Sequence, residues 1–287
     1  MRLYREFTTQ EEIDAVYNPA ATAPDADAVI QSWFDRSAAA VAALEGRLGV
    51  KYGPTREEYC DVFPAGPDAP VHVFIHGGYW RRFSARDHAF VARPLVAAGI
   101  TTVVVNYALC PRVTLDEIVR EVRASIAWTF AHAEDFGADP ERLTISGHSA
   151  GGHLVAMALL TDWKGDYDLP RTIIKGAVAI SGLYDLGFLP WSYVQPKVQA
   201  TWDQVARLSP LHHLPREAPP LVVAVGAQET AEFRRQSRDF HAAWTAKGLP
   251  GSYLEPAGRD HFTVLDELER PEGELFSVLV QLARGSA

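Results

Sequence analysis

Cysteine is nearly absent from this chain of 287 residues: only Cys60 and Cys110 occur. No disulfide framework is therefore implied, and a reducing compartment fits best. No run approaches the roughly 20 apolar residues of a membrane span. Basic residues are in deficit, 27 Lys and Arg against 36 Asp and Glu, which leaves a formal net charge of −9. That balance argues against a nucleic-acid partner, whose phosphates demand a basic face. No CxxC pair, HExxH or other metal-ligand spacing appears, and no Gly-Lys-Ser/Thr grips a phosphate, so the expected cofactors and metals are none. The opening residues Met1 to Phe7 carry charges where a secretory leader needs an apolar run. What is present is 47% hydrophobic and 22% charged residues, the composition of a globular protein with a substantial core. The expectation is a soluble, cytoplasmic protein read as one domain over 1–287. Its expected partner is a small-molecule substrate, with a homo-oligomer left open and neither nucleic acid nor membrane expected.

Apolar periodicity divides the chain in two. Up to about Glu58 the pattern is helical: Val29, Ile30, Trp33, Phe34, Val41 and Leu44 recur near 3.6 residues after a start signal at Pro24-Asp25. Residues 1–58 are thus expected to form a helical extension. From Tyr59 onward short apolar runs alternate with amphipathic segments. The runs are Val71–Ile75, Thr102–Val105, Leu143–Ile145, Ala177–Ile180 and Leu221–Val225, with a weaker one at Ser252–Leu254. Rich in Val and Ile and nearly unbroken by polar residues, they suit parallel strands buried on both faces. Helical patterns lie between them at about 87–98, 115–134, 150–162, 231–247 and 273–284. Such alternation predicts an α/β fold with a mostly parallel sheet. The stretch 186–209 breaks the rhythm with Pro190, Trp191, Tyr193, Pro196 and Trp202, and reads as a small cap or loop over one end of the sheet.

The sharpest motif is Gly147-His148-Ser149-Ala150-Gly151, a G-x-S-x-G between a strand-like run and a helical pattern. A serine on a tight strand-to-helix turn projects its Oγ into a cleft, and the flanking glycines leave room for the strained backbone. The helix that follows offers free N–H groups and a positive dipole end to a developing oxyanion. The competing account is a structural turn whose serine caps the helix. Ser146 and Ser181 also stand near strand ends but in no such elbow, and default to structural roles. A second motif, His76-Gly77-Gly78-Tyr79-Trp80, follows the run Val71–Ile75. Consecutive glycines let the backbone turn its N–H groups toward a ligand, and HGG-type loops supply half of an oxyanion hole. The hole is assigned to backbone N–H groups of Gly78, Tyr79 and Ala150, with His76 fixing the loop through a hydrogen bond.

Ser149 needs a base and an acid. With ten histidines in the chain, order along the sequence has to select among them: in α/β-hydrolases it runs Ser, then Asp or Glu, then His. Of His212, His213, His241 and His261, only His261 lies in a loop just beyond the last strand-like run. The acid is expected just after the run Leu221–Val225, where Glu229 is the nearest carboxylate and Glu232 already belongs to the next helix. Asp260 and Asp185 are its rivals.

These segments together resemble the arylformamidase (kynurenine formamidase) branch of the α/β-hydrolase superfamily. The resemblance is carried by the HGGYW loop, the Gly-His-Ser-Ala-Gly-Gly elbow, Asn106-Tyr107-x-Leu109-x-Pro111 and Ser181-Gly182-x-Tyr184-Asp185-Leu186. It continues in Gly226-x-x-Glu229-Thr-x-Glu232-Phe233-x-Arg235-Gln236-Ser237, and spans roughly residues 70 to 265. It implies an α/β-hydrolase fold and an N-formyl-arylamine hydrolase that releases formate without a metal. Glu229 stands where the branch often has Asp; either carboxylate orients a histidine.

Tyr79, Trp80, Tyr184, Trp191 and Trp202 are candidate walls of an aromatic substrate pocket, although each reads equally as core or cap packing. Arg81 and Arg82 follow the oxyanion loop and are candidates for a substrate carboxylate, against a reading as solvated surface arginines. The expected function is metal-independent serine hydrolysis of an amide or ester by Ser149, His261 and Glu229, with an N-formyl-arylamine preferred. A carboxylesterase for short acyl or aryl esters is the rival within hydrolases. A non-catalytic small-molecule-binding α/β-hydrolase is the rival outside them; it would normally have lost one of the three residues, and candidates for all three remain.

Overall fold

Six of the eight strands of the computed structural model, which describes residues 2–285, are the apolar runs of the sequence. In chain order the strands are β1 (Arg47–Lys51), β2 (Tyr59–Phe63), β3 (Ala69–Ile75), β4 (Thr101–Val105), β5 (Ala138–His148), β6 (Gly176–Ile180), β7 (Leu221–Ala224) and β8 (Gly251–Leu254). They form one sheet in the order β1-β2-β4-β3-β5-β6-β7-β8. Strands β3 to β8 pair in parallel, whereas β2 runs antiparallel to both of its neighbours.

Period-2 alternation between two buried faces explains why the runs carry so few polar residues; His72 is satisfied within the sheet by Thr144 at 2.9 Å and Ser146 at 2.7 Å. Val71, Val73 and Ile75 of β3 point into one core with Val103, Val105, Leu143 and Ile145. Phe74, Val104, Val178 and Ile180 point into the other. Helices roof both faces. Residues Leu115–His132, Ala150–Leu159 and Ala231–Ala246 cover the first with Ile118, Val122, Leu154, Phe233 and Trp244. Residues Ala26–Ala43 and Glu274–Ala283 cover the second with Ile30, Trp33, Leu275 and Leu279. Both sheet faces are thereby buried, as a parallel sheet requires.

The helical reading of 1–58 needs correction. Helices span Gln10–Tyr17 and Ala26–Ala43, the first opened by a Thr9/Glu12 capping box, but the segment then turns into β1. This edge strand, Arg-Leu-Gly-Val-Lys, is largely exposed and offers no apolar period. β2 hides its nature differently: buried Asp61 sits in its middle, bonded by the Gly49 amide at 2.7 Å and by Arg86. Residues 186–209 hold a 3₁₀ turn at Leu189–Trp191 and short helices at Gln195–Val198 and Trp202–Arg207. The N-terminal segment is sewn to this stretch: the Tyr193 amide donates to Asp14 at 2.7 Å, and Tyr17 stacks on Phe188 at 3.7 Å.

Candidate active site

Three strand ends converge here. β5 delivers the elbow: Ser149 has φ 58° and ψ −118°, in a region that costs a non-glycine residue about 1–3 kcal/mol. Its amide donates to the Ile180 carbonyl of β6 at 2.8 Å, which pins the turn to the neighbouring strand. Gly151 is required by close approach, because a Cβ there would overlap the Ile75 carbonyl at the end of β3.

His261 lies beyond β8 and Glu229 beyond β7, and the two loops are tied together. The Gln228 amide donates to the Arg259 carbonyl at 2.8 Å, and the Ala227 amide to the Pro256 carbonyl at 3.1 Å. His261 Nδ1–H donates to Glu229 Oε2 at 2.6 Å. A carboxylate only accepts, so the proton sits on Nδ1 and leaves Nε2 as an acceptor. Ser149 Oγ lies 3.0 Å from that nitrogen. All three side chains are buried. The other oxygen of Glu229, Oε1, takes the Ser181 hydroxyl at 2.5 Å and the Gly226 amide at 2.7 Å. The imidazole is boxed by Phe233 at 4.4 Å and His148 at 4.7 Å. His148 Nε2–H donates to the His261 carbonyl at 2.8 Å, and burial, with His261 beside it, holds the His148 imidazole well below its usual pKa.

The rival acids are engaged elsewhere. Asp260 Oδ1 accepts the Phe262 and Thr263 amides at 2.8 and 2.9 Å in a local turn, while His261 Nδ1 is taken by Glu229. Asp185 accepts from the Tyr4 hydroxyl and the Gly187 amide.

The HGG loop closes on the elbow from β3. Gly78, Tyr79 and Trp80 have consecutive positive φ values of 101°, 51° and 56°. Gly78 tolerates this without a Cβ, while Tyr79 is held there by its hydroxyl, which donates to the Tyr17 carbonyl at 2.6 Å. His76 Nδ1–H donates to the Gly77 carbonyl at 2.9 Å, and its ring stacks on Tyr107 at 4.2 Å. Burial lowers its pKa to about 4. It is a loop brace.

Gly77, Gly78, Tyr79, Ser149 and His261 line one cleft. Ala150 is the first residue of the buried helix that follows Ser149, so its backbone N–H is a first-turn donor, while its side chain stands outside that wall. Of the other aromatic candidates, Trp80, Tyr184, Trp191 and Trp202 also stand outside it. Trp80 is buried edge-on against His153 at 5.1 Å. Tyr184 stacks on Phe240 at 4.1 Å in the core. Trp191 packs against Trp202, which is 58% exposed. Arg81 and Arg82 do reach the cleft, with the Arg81 guanidinium 5.8 Å from the Tyr193 ring centre. The aromatic wall is built instead from Trp33, Phe83, His88, Tyr193 and Phe262. The first of these was legible only as a core position of a helix.

Comparison with known proteins places the chain among hydrolases. The BD-FAE family model matches residues 64–244. The kynurenine formamidase of Danio rerio is 32% identical, over 91% of this chain and 92% of its own length. Esterase LipQ of Mycobacterium tuberculosis (strain ATCC 25618 / H37Rv) is 29% identical over 74% of this chain and 56% of its own. A crystal structure from Silicibacter sp. TM1040, described provisionally as a thioesterase, superposes with a TM-score of 0.82 at 28% identity, covering 93% of this chain and 98% of that one.

Proposed function

We propose that this chain, which belongs to the BD-FAE family of α/β-hydrolases in an arylformamidase-like branch, hydrolyses N-formyl-arylamines with Ser149, His261 and Glu229. Hydrolysis of an amide or ester bond is common to its relatives; the catalytic residues and the formyl substrate are our assignment. The observation that carries it is the unbroken buried chain Glu229 Oε2, His261 Nδ1, His261 Nε2, Ser149 Oγ, with links of 2.6 and 3.0 Å.

In this reading Ser149 Oγ attacks the formyl carbon while His261 Nε2 takes its proton, and Glu229 stabilises the imidazolium that results. The carbonyl oxygen, now an oxyanion, is met by backbone N–H groups of Gly78, Tyr79 and Ala150, each such donor being worth about 10²–10³ in rate. His261 returns the proton to the leaving nitrogen, releasing the arylamine. Water then repeats the sequence on the formyl-enzyme, releases formate and restores Ser149. No step draws on a cofactor.

A carboxylesterase reading is supported by the likeness to Esterase LipQ and uses the same three residues. A panel of formanilides beside p-nitrophenyl esters separates the two. Formate release from N-formylkynurenine or formanilide supports the amide reading, and ester cleavage without any formate release replaces it.

A further inference from the structure

The last turn of the helix Gln10–Tyr17 reaches three loops of the cleft at once. A helix leaves the carbonyls of its final turn without partners of its own. The Asn18 amide takes that of Asp14, and the last two turn outward. The Val16 carbonyl accepts from the Thr230 hydroxyl, next to Glu229. The Tyr17 carbonyl accepts from the Tyr79 hydroxyl of the HGG loop at 2.6 Å. From the same turn the Asp14 carboxylate accepts the Tyr193 amide at 2.7 Å, and the Tyr193 ring stands edge-on to that of Tyr79 at 6.1 Å.

Tyr17 is fixed at both ends. Its hydroxyl donates to Glu232 Oε2 at 2.7 Å and accepts from Gln236 Nε2 at 2.9 Å, and its ring stacks on Phe188. Glu232 and Gln236 stand on the helix Ala231–Ala246, which begins directly after the acid loop. Burial holds the phenols of Tyr17 and Tyr79 well above their usual pKa, so each keeps the proton it donates. One residue thus spans the distance from the acid side to the oxyanion side, its side chain on the first and its carbonyl on the second.

Tyr79 needs that hold. Gly78, Tyr79 and Trp80 run through consecutive positive φ values, which residues with side chains keep only where their surroundings over-determine it. The hydroxyl is the far end of the Tyr79 ring, and pinning it fixes the residue whose N–H is assigned to the oxyanion hole. Such a donor acts about 2.7–3.1 Å from the oxyanion, so a small relaxation of the turn is felt in the rate.

We propose that Tyr17 is a positioning residue for the oxyanion hole, acting through the Tyr79 hydroxyl to keep the Gly78-Tyr79 turn in register with the Glu229 loop. It rests on the reading of Ser149 as the nucleophile and of the Tyr79 N–H as an oxyanion donor. The N-terminal helix is thereby part of the catalytic frame.

The test compares two inhibitors of p-nitrophenyl acetate hydrolysis. Phenyl trifluoromethyl ketone adds Ser149 Oγ: the O–C bond forms, the carbonyl π pair becomes the oxyanion and the serine proton passes to His261 Nε2. Acetophenone, close to it in shape, stays a ground-state ligand. The wild type is expected to prefer the trifluoroketone by at least about 10². Tyr79→Phe keeps the ring and removes the hydroxyl. It is expected to lose about tenfold in kcat with KM little changed, and to weaken the trifluoroketone alike while sparing acetophenone, short of the 10²–10³ of losing a donor outright. Tyr17→Phe frees the carbonyl's own anchor and is expected to lower kcat several-fold. The double variant is expected to lose no more than about twofold beyond Tyr79→Phe, because both cut one link. Wild-type kcat in either single variant, equal weakening of both inhibitors, or losses that multiply in the double variant overturn the proposal. Should Tyr17→Phe fail to fold, kcat and the inhibitor pair on Tyr79→Phe decide alone. Ser149→Ala separates this idea from the reading it rests on. If that variant keeps the preference for the trifluoroketone, the nucleophile falls and the positioning role with it. If it loses the preference while Tyr79→Phe keeps it in full, the positioning role alone falls.

Discussion

Ser181 donates its hydroxyl to Oε1 of Glu229 at 2.5 Å, opposite the oxygen that His261 uses. The donor stands at the end of β6 with φ 52°, and the acceptor follows β7, so adjacent parallel strands fix the acid between them. With the Gly226 amide on the same oxygen, one carboxylate rotamer is locked and Oε2 is aimed at Nδ1.

Ser181→Ala is expected to lower kcat roughly tenfold with little change in KM, the scale of one hydrogen bond to a charged group. Steady-state kinetics on a formanilide measures it. An unchanged kcat would show that the Gly226 amide suffices.

Glu229→Gln is expected to cost about 10³–10⁴ in kcat, because an amide stabilises the wrong imidazole tautomer and cannot balance the imidazolium. Asp260→Asn should stay within several-fold, since its Oδ1 serves the Phe262 and Thr263 amides. The opposite ranking would move the acid to Asp260.

Acyl size should be read strictly. Gly77, Gly78 and Tyr79 close over the elbow beside Ser149, and Tyr79 is anchored through Tyr17. A formanilide is expected to exceed the matching acetanilide in kcat/KM by at least about tenfold, on the scale of one methyl group in a close-fitting pocket. Parity between the two would mean that the acyl pocket is wider than this loop suggests.

Stability should fall on mild acidification. Burial lowers the pKa of His72 and His88 to about 3 and of His76 and His153 to about 4, and holds His148 well down. In the unfolded chain each titrates near 6.5. Between pH 6.5 and about 4 the unfolded chain binds protons that the folded one refuses. Stability is therefore fully present above pH 6.5 and is lost as pH falls, by up to about 1.4 kcal/mol per pH unit for each histidine. Glu121, raised to about 6 by burial, acts in the opposite direction as a single group. Thermal unfolding followed from pH 7 to pH 5 should show Tm dropping steeply. A flat Tm would contradict the buried neutral state of these rings.

The sequence exposed the interior strands because a parallel strand covered on both faces leaves an almost unbroken apolar run. β1 and β2 stayed hidden. β1 is an exposed edge, and Asp61 interrupts β2 with a charge whose partner, Arg86, is far along the chain. The meeting of Ser149, Glu229 and His261 was legible for a topological reason, since each residue follows a strand at the same end of the sheet. The aromatics that line the cleft were not. Trp80 is the neighbour of Tyr79 and was read with it, yet its ring turns into the core. Trp33 reads as a core residue of an N-terminal helix, and only the tertiary fold brings it over the cleft. Ser181 meets Glu229 from 48 residues away, and no local pattern announces that contact.

Ser149 is assigned the cleavage of a formyl–nitrogen bond. The most direct measurement is formate release from N-formylkynurenine by purified protein, wild type beside Ser149→Ala. Formate and arylamine are expected in equal amounts from the wild type, with a loss of about 10³-fold or more in the variant with its fold intact. The assignment is contradicted if the wild type releases no formate from any formyl-arylamine while cleaving aryl esters, or if Ser149→Ala remains active.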